Sequence, residues 1–187
     1  MYDVIIIGAG PAGASAALFT ARAEKKTLVI DNGKSILKPA WVENHYGIID
    51  GITGPELYEL GKKQAIKAGA ELINDSVLDV TSENDMYTVK TDHNDYQSKH
   101  IIFATGNSTE LAEQVGLDVI PGTEPKIKSV IKVDHDGKTN KKGIYAVGTV
   151  AGLTVHTTVV AGHGVQVAVN LLSELKGSRY VDHDINK

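Results

Sequence analysis

VIIIGAGPAG, residues 4–13, is the stretch whose reading decides the fold. Val4, Ile5, Ile6 and Ile7 are β-branched and apolar without interruption, which suits a parallel strand buried on both faces. Gly8, Gly10 and Gly13 follow in the spacing G-x-G-x-x-G. Gly8 permits the sharp turn out of the strand. Gly10 has no side chain where a pyrophosphate must approach the backbone, and Gly13, with small Ala17 one helical turn later, lets the next helix pack close to the sheet. That helix is the alanine-rich run from Ala12 to Ala23. Its first N–H groups have no helical acceptors and sit at the positive end of the helix dipole, so they favour an anion; Pro11 removes one N–H that would have stayed unpaired.

Working outward, Thr27 to Ile30 reads as a second strand ending in Asp31, 18 positions beyond Gly13. That is near the spacing at which an acid accepts hydrogen bonds from ribose hydroxyls. Strand, glycine turn, small-residue helix, strand and terminal acid together predict a nucleotide site.

With 187 residues the chain fits one domain, residues 1–187, long enough to bury a proper core. Hydrophobic content of 42% and charged content of 22% are ordinary for a globule, and the net charge of -4 gives no nucleic-acid footprint. There is no cysteine, which excludes disulfides, thiolate metal sites and a redox dithiol within this chain; no metal site is expected. A core strand beginning close to Met1, with no basic leader and no apolar run of membrane-spanning length, predicts a cytoplasmic protein off the membrane.

From Asp31 to Thr53 periodicity fails, and the stretch reads as a long functional loop carrying the sole tryptophan, Trp41. Trp41, Val42, Tyr46 and Ile48 argue against a plain surface excursion, since it would leave much apolar area in water. Thr53 to Glu56 reads as a capping box opening a helix to about Ala68, with Leu57, Leu60, Ala65 and Ala68 on its buried side. A short strand, Ala70 to Ile73, precedes an antiparallel meander of Val77 to Thr81, Met86 to Thr91 and Tyr96 to Lys99. Ile101 to Ala104 is a separate buried strand. Leu111 to Val115 is a brief helix, Lys126 to Asp134 is extended, Ile144 to Val147 is another buried strand, and a helix from about Thr157 to Leu175 closes the pattern. Gly162 and Gly164 weaken that last helix unless something packs very close to it. The fold class is therefore α/β: a three-layer, Rossmann-like fold with a central parallel sheet, helices on one face and the meander on the other.

Four stretches in order, residues 7–13 with Asp31, residues 42–47 with 53–55, residues 103–106, and residues 143–148 with the helix after them, resemble the FAD-binding half of flavoprotein disulfide reductases, most closely the thioredoxin-reductase-like branch. The resemblance implies FAD as cofactor. It assigns the pyrophosphate to Gly8, Gly10, Pro11, Ala12 and Gly13, the adenosine ribose to Asp31, with Asn32 and Lys34 beside it, and adenine to the backbone of Val77. Ala104, Thr105 and Gly106 would cross near the adenosine and pyrophosphate, Asn44 would reach the flavin region, and Gly148 and Thr149 would meet the ribityl chain. His156, Thr157 and Thr158, opening the last helix, would point at the pyrimidine edge of the isoalloxazine. A helix N-terminus there stabilises the negative charge of reduced flavin, and a protonated His156 would add to it, so His156 is the one side chain considered for catalysis. His163, inside the helix, is a weaker candidate.

The sequence departs from the family in three ways. Gly148 follows Gly106 by only 42 positions, whereas the family's NAD(P)H domain needs on the order of 100 residues there, and no second G-x-G-x-x-G occurs. The redox cysteine pair is absent, which excludes thioredoxin reduction by the family's dithiol route. Thr149 stands where the family has an aspartate that accepts from a ribityl hydroxyl. The reading is a small FAD-dependent oxidoreductase, forming a homodimer and exchanging electrons with NAD(P)H or a redox protein; the alternative is a non-catalytic FAD- or nucleotide-binding sensor or subunit.

Overall fold

The computed structural model describes residues 1–182. In chain order the elements are β1 (Tyr2–Ile7), α1 (Pro11–Arg22), β2 (Thr27–Asp31), β3 (Trp41–Val42), β4 (Ile52–Thr53), α2 (Gly54–Lys67), β5 (Glu71–Asn74), β6 (Val77–Glu83) and β7 (Met86–Thr91). They continue with β8 (Asp95–Phe103), α3 (Glu110–Gln114), β9 (Val119–Pro121), β10 (Ser129–Ile131), β11 (Ile144–Ala146), a 3-10 turn (Gly148–Ala151) and α4 (Thr157–Lys176).

The parallel sheet runs β5-β2-β1-β8, with β11 on the far edge of β8. Val4, Ile5, Ile6 and Ile7 pair with both β2 and β8, which is why all four are almost wholly buried. Alternate side chains serve opposite faces. Val4 and Ile6 join α1 and α4 residues such as Ala16, Ala17 and Leu171, while Ile5 and Ile7 join Val80, Tyr87 and Val89 of the meander and Ala112 of α3. These are the three layers expected.

The third meander strand and the buried strand after it are one element. The first half of β8 pairs antiparallel with β7, and its second half pairs parallel with β1 and β11. The polar pair Lys99 and His100 reads in sequence as a break because β8 changes partner there, leaving the meander to enter the buried sheet. Of the extended reading from Lys126 to Asp134, only Ser129–Ile131 is strand, paired with Val119–Pro121.

The buried stripe of α2 is also differently phased. Gly54, Tyr58 and Ala65 are buried, with Gly61 on the same side, whereas Leu60 is exposed and Leu57 and Ala68 are half-buried. The spacing 54, 58, 61, 65 is helical, but two of its members are glycines and read as gaps. Gly54 marks close packing, since a Cβ there would lie 1.8 Å from Leu37 O, while one on Gly61 would meet Ala14 Cβ at an ordinary contact of 3.4 Å. The capping box on Thr53 and Glu56 is present in both directions.

α1 also packs tightly, both on α4 and on the turn before it: a Cβ on Gly164 would sit 2.1 Å from Ala12 O, and one on Gly13 would sit 2.0 Å from Gly8 O. Gly162, by contrast, faces open space. Among the described residues no helix is long and apolar enough to cross a membrane.

Candidate functional site

The carboxyl ends of β1, β2, β8 and β11 open onto a cleft of about 860 Å³. This is where open α/β sheets place their ligands. Its floor is the glycine turn. Gly8 adopts φ +103, and a Cβ there would come within 2.5 Å of Ala104 O. The first helical N–H of α1 to find a carbonyl is that of Ala14, which donates to Gly10 O at 2.9 Å, so the N–H groups of Ala12 and Gly13 lie in the turn that has no helical acceptor. Gly10 itself is in an ordinary region (φ -61), and the nearest atom to a Cβ there is Ser35 Oγ at 3.7 Å. A methyl group at Gly10 would therefore leave the fold alone.

Asp31 closes β2 and is 5% exposed. Its Oδ1 accepts the Ala9 N–H at 3.2 Å, and its Oδ2 accepts a short hydrogen bond from the Tyr58 hydroxyl. Burial, then the hydrogen bond to Asp31, hold the Tyr58 phenol far above its usual range, so it stays a donor. The acid is thus oriented before any ligand arrives. Tyr58 was not expected in this role; its only sequence signal is an aromatic one helical turn behind a capping box.

Gly10, Pro11, Ala12, Asn32 and Lys34 line the cleft with Gly8 and Asp31, as do Asn44, Val77, Ala104, Thr105, Gly106, Thr149, His156 and Thr157. Three expected residues do not line it. Gly13 is spent on packing α1 against the turn, Thr158 is exposed, and Gly148 lies beneath α1, where a Cβ would meet Ala12 Cβ at 2.7 Å. The Gly148 N–H donates to His163 Nδ1 at 3.0 Å. His163 is a structural acceptor, and burial lowers its pKa, keeping it neutral.

At the opposite wall, α4 begins at Thr157 with His156 as N-cap, and no side chain caps its free N–H groups. Thr157 Oγ1 is buried and has no hydrogen-bond partner. An orphaned hydroxyl beside uncapped helical N–H groups is what a polar or anionic ligand would satisfy. Asn44 Nδ2 lies 3.5 Å from His156 Nδ1, bringing the long loop to this helix end. That loop is partly a surface excursion after all: Val42 is buried with Leu37 and Tyr58, but Trp41 is 58% and Tyr46 is 92% exposed. Sequence reasoning also missed Asp75, which lines the cleft. Burial works against its ionisation, but hydrogen bonds from Thr91, His93 and the Ser76 N–H outweigh it and push its pKa down to about 2. No group of three or more metal-ligating side chains occurs among the described residues.

Sheet order, glycine turn, terminal acid and helix-end cleft define a dinucleotide-binding α/β protein of the flavoprotein type. The family model described as pyridine nucleotide-disulphide oxidoreductase matches residues 2–129, more than half of the chain. The chain belongs to that family, whose members bind FAD. It is 38% identical over 125 residues to a thioredoxin reductase of Peptoclostridium acidaminophilum, covering 65% of this chain and 40% of the relative. It is 40% identical over 111 residues to NADPH-dependent thioredoxin reductase 3 of Arabidopsis thaliana, covering 56% of this chain and 21% of that protein. The chain therefore matches well under half the length of these relatives. The solved thioredoxin reductase of Gloeobacter violaceus has the same fold, with a TM-score of 0.85 at 16% identity and 99% of each chain covered.

Proposed function

We propose that residues 1–187 form one FAD-binding domain of a flavoprotein oxidoreductase, which exchanges electrons with an external partner without a dithiol from this chain. The observation that carries this reading is the single cleft that joins the glycine turn, the oriented carboxylate of Asp31 and the orphaned Thr157 hydroxyl at the start of α4. The glycine turn with the N–H of Ala12 would hold the pyrophosphate, Asp31 the ribose, and Asn44, Thr149 and Thr157 the flavin end. When bound, FAD supplies the electron-transfer chemistry at its ring system. The uncapped N–H groups of α4 favour negative charge at that end of the cleft.

NAD(P)H or a redox protein is the proposed partner, in keeping with the NADPH-dependent thioredoxin reductase of Arabidopsis, and the proposed assembly is a homodimer. The short interval from Gly106 to Gly148 and the absence of cysteine favour a second reading, a non-catalytic FAD-binding sensor or subunit. Purified protein should carry a flavin absorption spectrum, and anaerobic addition of NADH, NADPH or a reduced carrier protein should bleach it. Gly10→Ala should fold normally yet bind FAD at least about tenfold more weakly, ~1.4 kcal/mol. Wild-type protein that binds no FAD overturns the cofactor assignment; bound FAD that none of these donors bleaches overturns the oxidoreductase reading and leaves the module.

A further inference from the structure

We infer that Asp75 is a positioning residue for the base of the bound dinucleotide: it fixes the main chain of Val77, and that main chain selects adenine. β6 is the last strand of the sheet, so one of its edges is open. Val77 stands opposite Thr91, and the Asp92 N–H donates to Ser76 O at 3.2 Å. Antiparallel ladders alternate hydrogen-bonded with non-hydrogen-bonded pairs, so the bond between Asp92 and Ser76 makes Val77 and Thr91 a non-hydrogen-bonded pair. The N–H and C=O of Val77 therefore point away from β7, off the open edge, and Val77 lines the cleft. Just beyond it the register slips by one residue at Leu78. A bulge of this kind ends regular pairing and re-aims the chain. Gln114 of α3 holds the bulge, its Nε2 donating to Leu78 O at 3.2 Å.

On the other side of Val77 the segment is held by Asp75, which is buried and lines the cleft. The Asp75 N–H donates to Asp31 O at 3.1 Å, which joins the ribose acid to the start of the base segment. Asp75 Oδ1 accepts the Ser76 N–H at 2.8 Å and, because a carboxylate only accepts, the His93 Nδ1–H at 3.1 Å. His93 sits in the turn after β7, which is folded onto Thr91: the Asn94 N–H donates to Thr91 Oγ1 at 3.0 Å. One carboxylate oxygen thus pins the start of β6 to the end of β7 and sets the direction of the Val77 main chain between them. A donor and an acceptor fixed side by side match the edge of adenine, where N1 accepts and the exocyclic amine donates. Hypoxanthine reverses both roles at the same positions.

The role given to Asp75 rests on the reading that the cleft holds FAD, and the test separates the two. Titration of flavin-free protein with FAD and with flavin hypoxanthine dinucleotide should show wild type binding FAD at least about tenfold more tightly, because the wrong base sets like groups against each other. Asp75→Ala should lose about tenfold in FAD affinity and keep a base preference of less than about threefold. Asp75→Asn retains the Oδ1 acceptor and should stay within about threefold of wild type in both respects. Where Asp75→Ala fails to fold, His93→Ala carries the test: its side chain is 74% exposed, it takes one donor from the same oxygen, and it should cut the base preference at least about threefold. Wild type with no base preference, or a preference that survives in the variant tested, overturns the role of Asp75 and leaves the FAD reading intact. So does a loss of affinity for both dinucleotides in equal measure, which would show Asp75 acting through the fold alone. Wild type that binds neither dinucleotide overturns the FAD reading and the role of Asp75 with it.

Discussion

Asp31 shows how one side chain links fold to site. Its carboxylate is buried at the end of β2 and is held by the Ala9 N–H and the Tyr58 hydroxyl. Removing one donor from a buried carboxylate costs the desolvation that the hydrogen bond had offset, about 1–3 kcal/mol. Tyr58→Phe keeps the ring packed on Leu37 and Val42 and deletes only that donor. It should lower the urea midpoint by an amount in this range without changing the slope of the transition. A loss under about 0.5 kcal/mol would show that solvent replaces the hydroxyl. The acid itself was legible in the sequence from its spacing after the glycine turn. Its partner was not, because Tyr58 lies 27 positions away on a helix whose buried phase is masked by Gly54 and Gly61.

At the scale of elements, α4 carries two glycines with opposite roles. Gly164 presses on the backbone of Ala12, and a methyl group there would have to displace a carbonyl only 2.1 Å away. Gly164→Ala should destabilise by about 1–3 kcal/mol through overpacking. Gly162 faces open space, so Gly162→Ala should stabilise by about 0.5–1 kcal/mol through helix propensity alone. Thermal midpoints of the two variants should therefore move in opposite directions; a shift of the same sign in both would refute the packing argument. The sequence pattern predicts that something packs close to this helix. Which glycine meets α1 depends on where the two helices cross, and that is set by the sheet beneath them rather than by local sequence.

For the whole molecule, two half-buried imidazoles make stability depend on pH. Burial lowers the pKa of both His163 and His100 from 6.5. In the folded state each refuses a proton that the unfolded chain accepts, so stability is intact above about pH 6.5 and falls as pH drops from there toward the lowered folded values. His163 has a structural reason to stay neutral, since its Nδ1 accepts the Gly148 N–H. Urea midpoints measured across this range should fall with pH, and His163→Gln should flatten the slope. Asp75, lowered from 3.8 to about 2, adds a second loss as pH falls from about 4 through that value. A pH-independent midpoint between about 7 and 5 would remove the imidazoles from the account.

Local composition determined β1, the glycine turn, α1 and Asp31, because an unbroken apolar strand, a required positive φ and helix-start N–H groups are properties of adjacent residues. The same locality made the family resemblance visible in four short stretches. Only the tertiary structure decided that β8 is one strand shared by meander and sheet, that Tyr58 orients Asp31, that Gly13 and Gly148 serve packing rather than the cleft wall, and that Trp41 stands exposed. Each of those outcomes depends on which distant backbone arrives opposite a residue, a quantity fixed by sheet register and helix crossing and not by any neighbour in the chain.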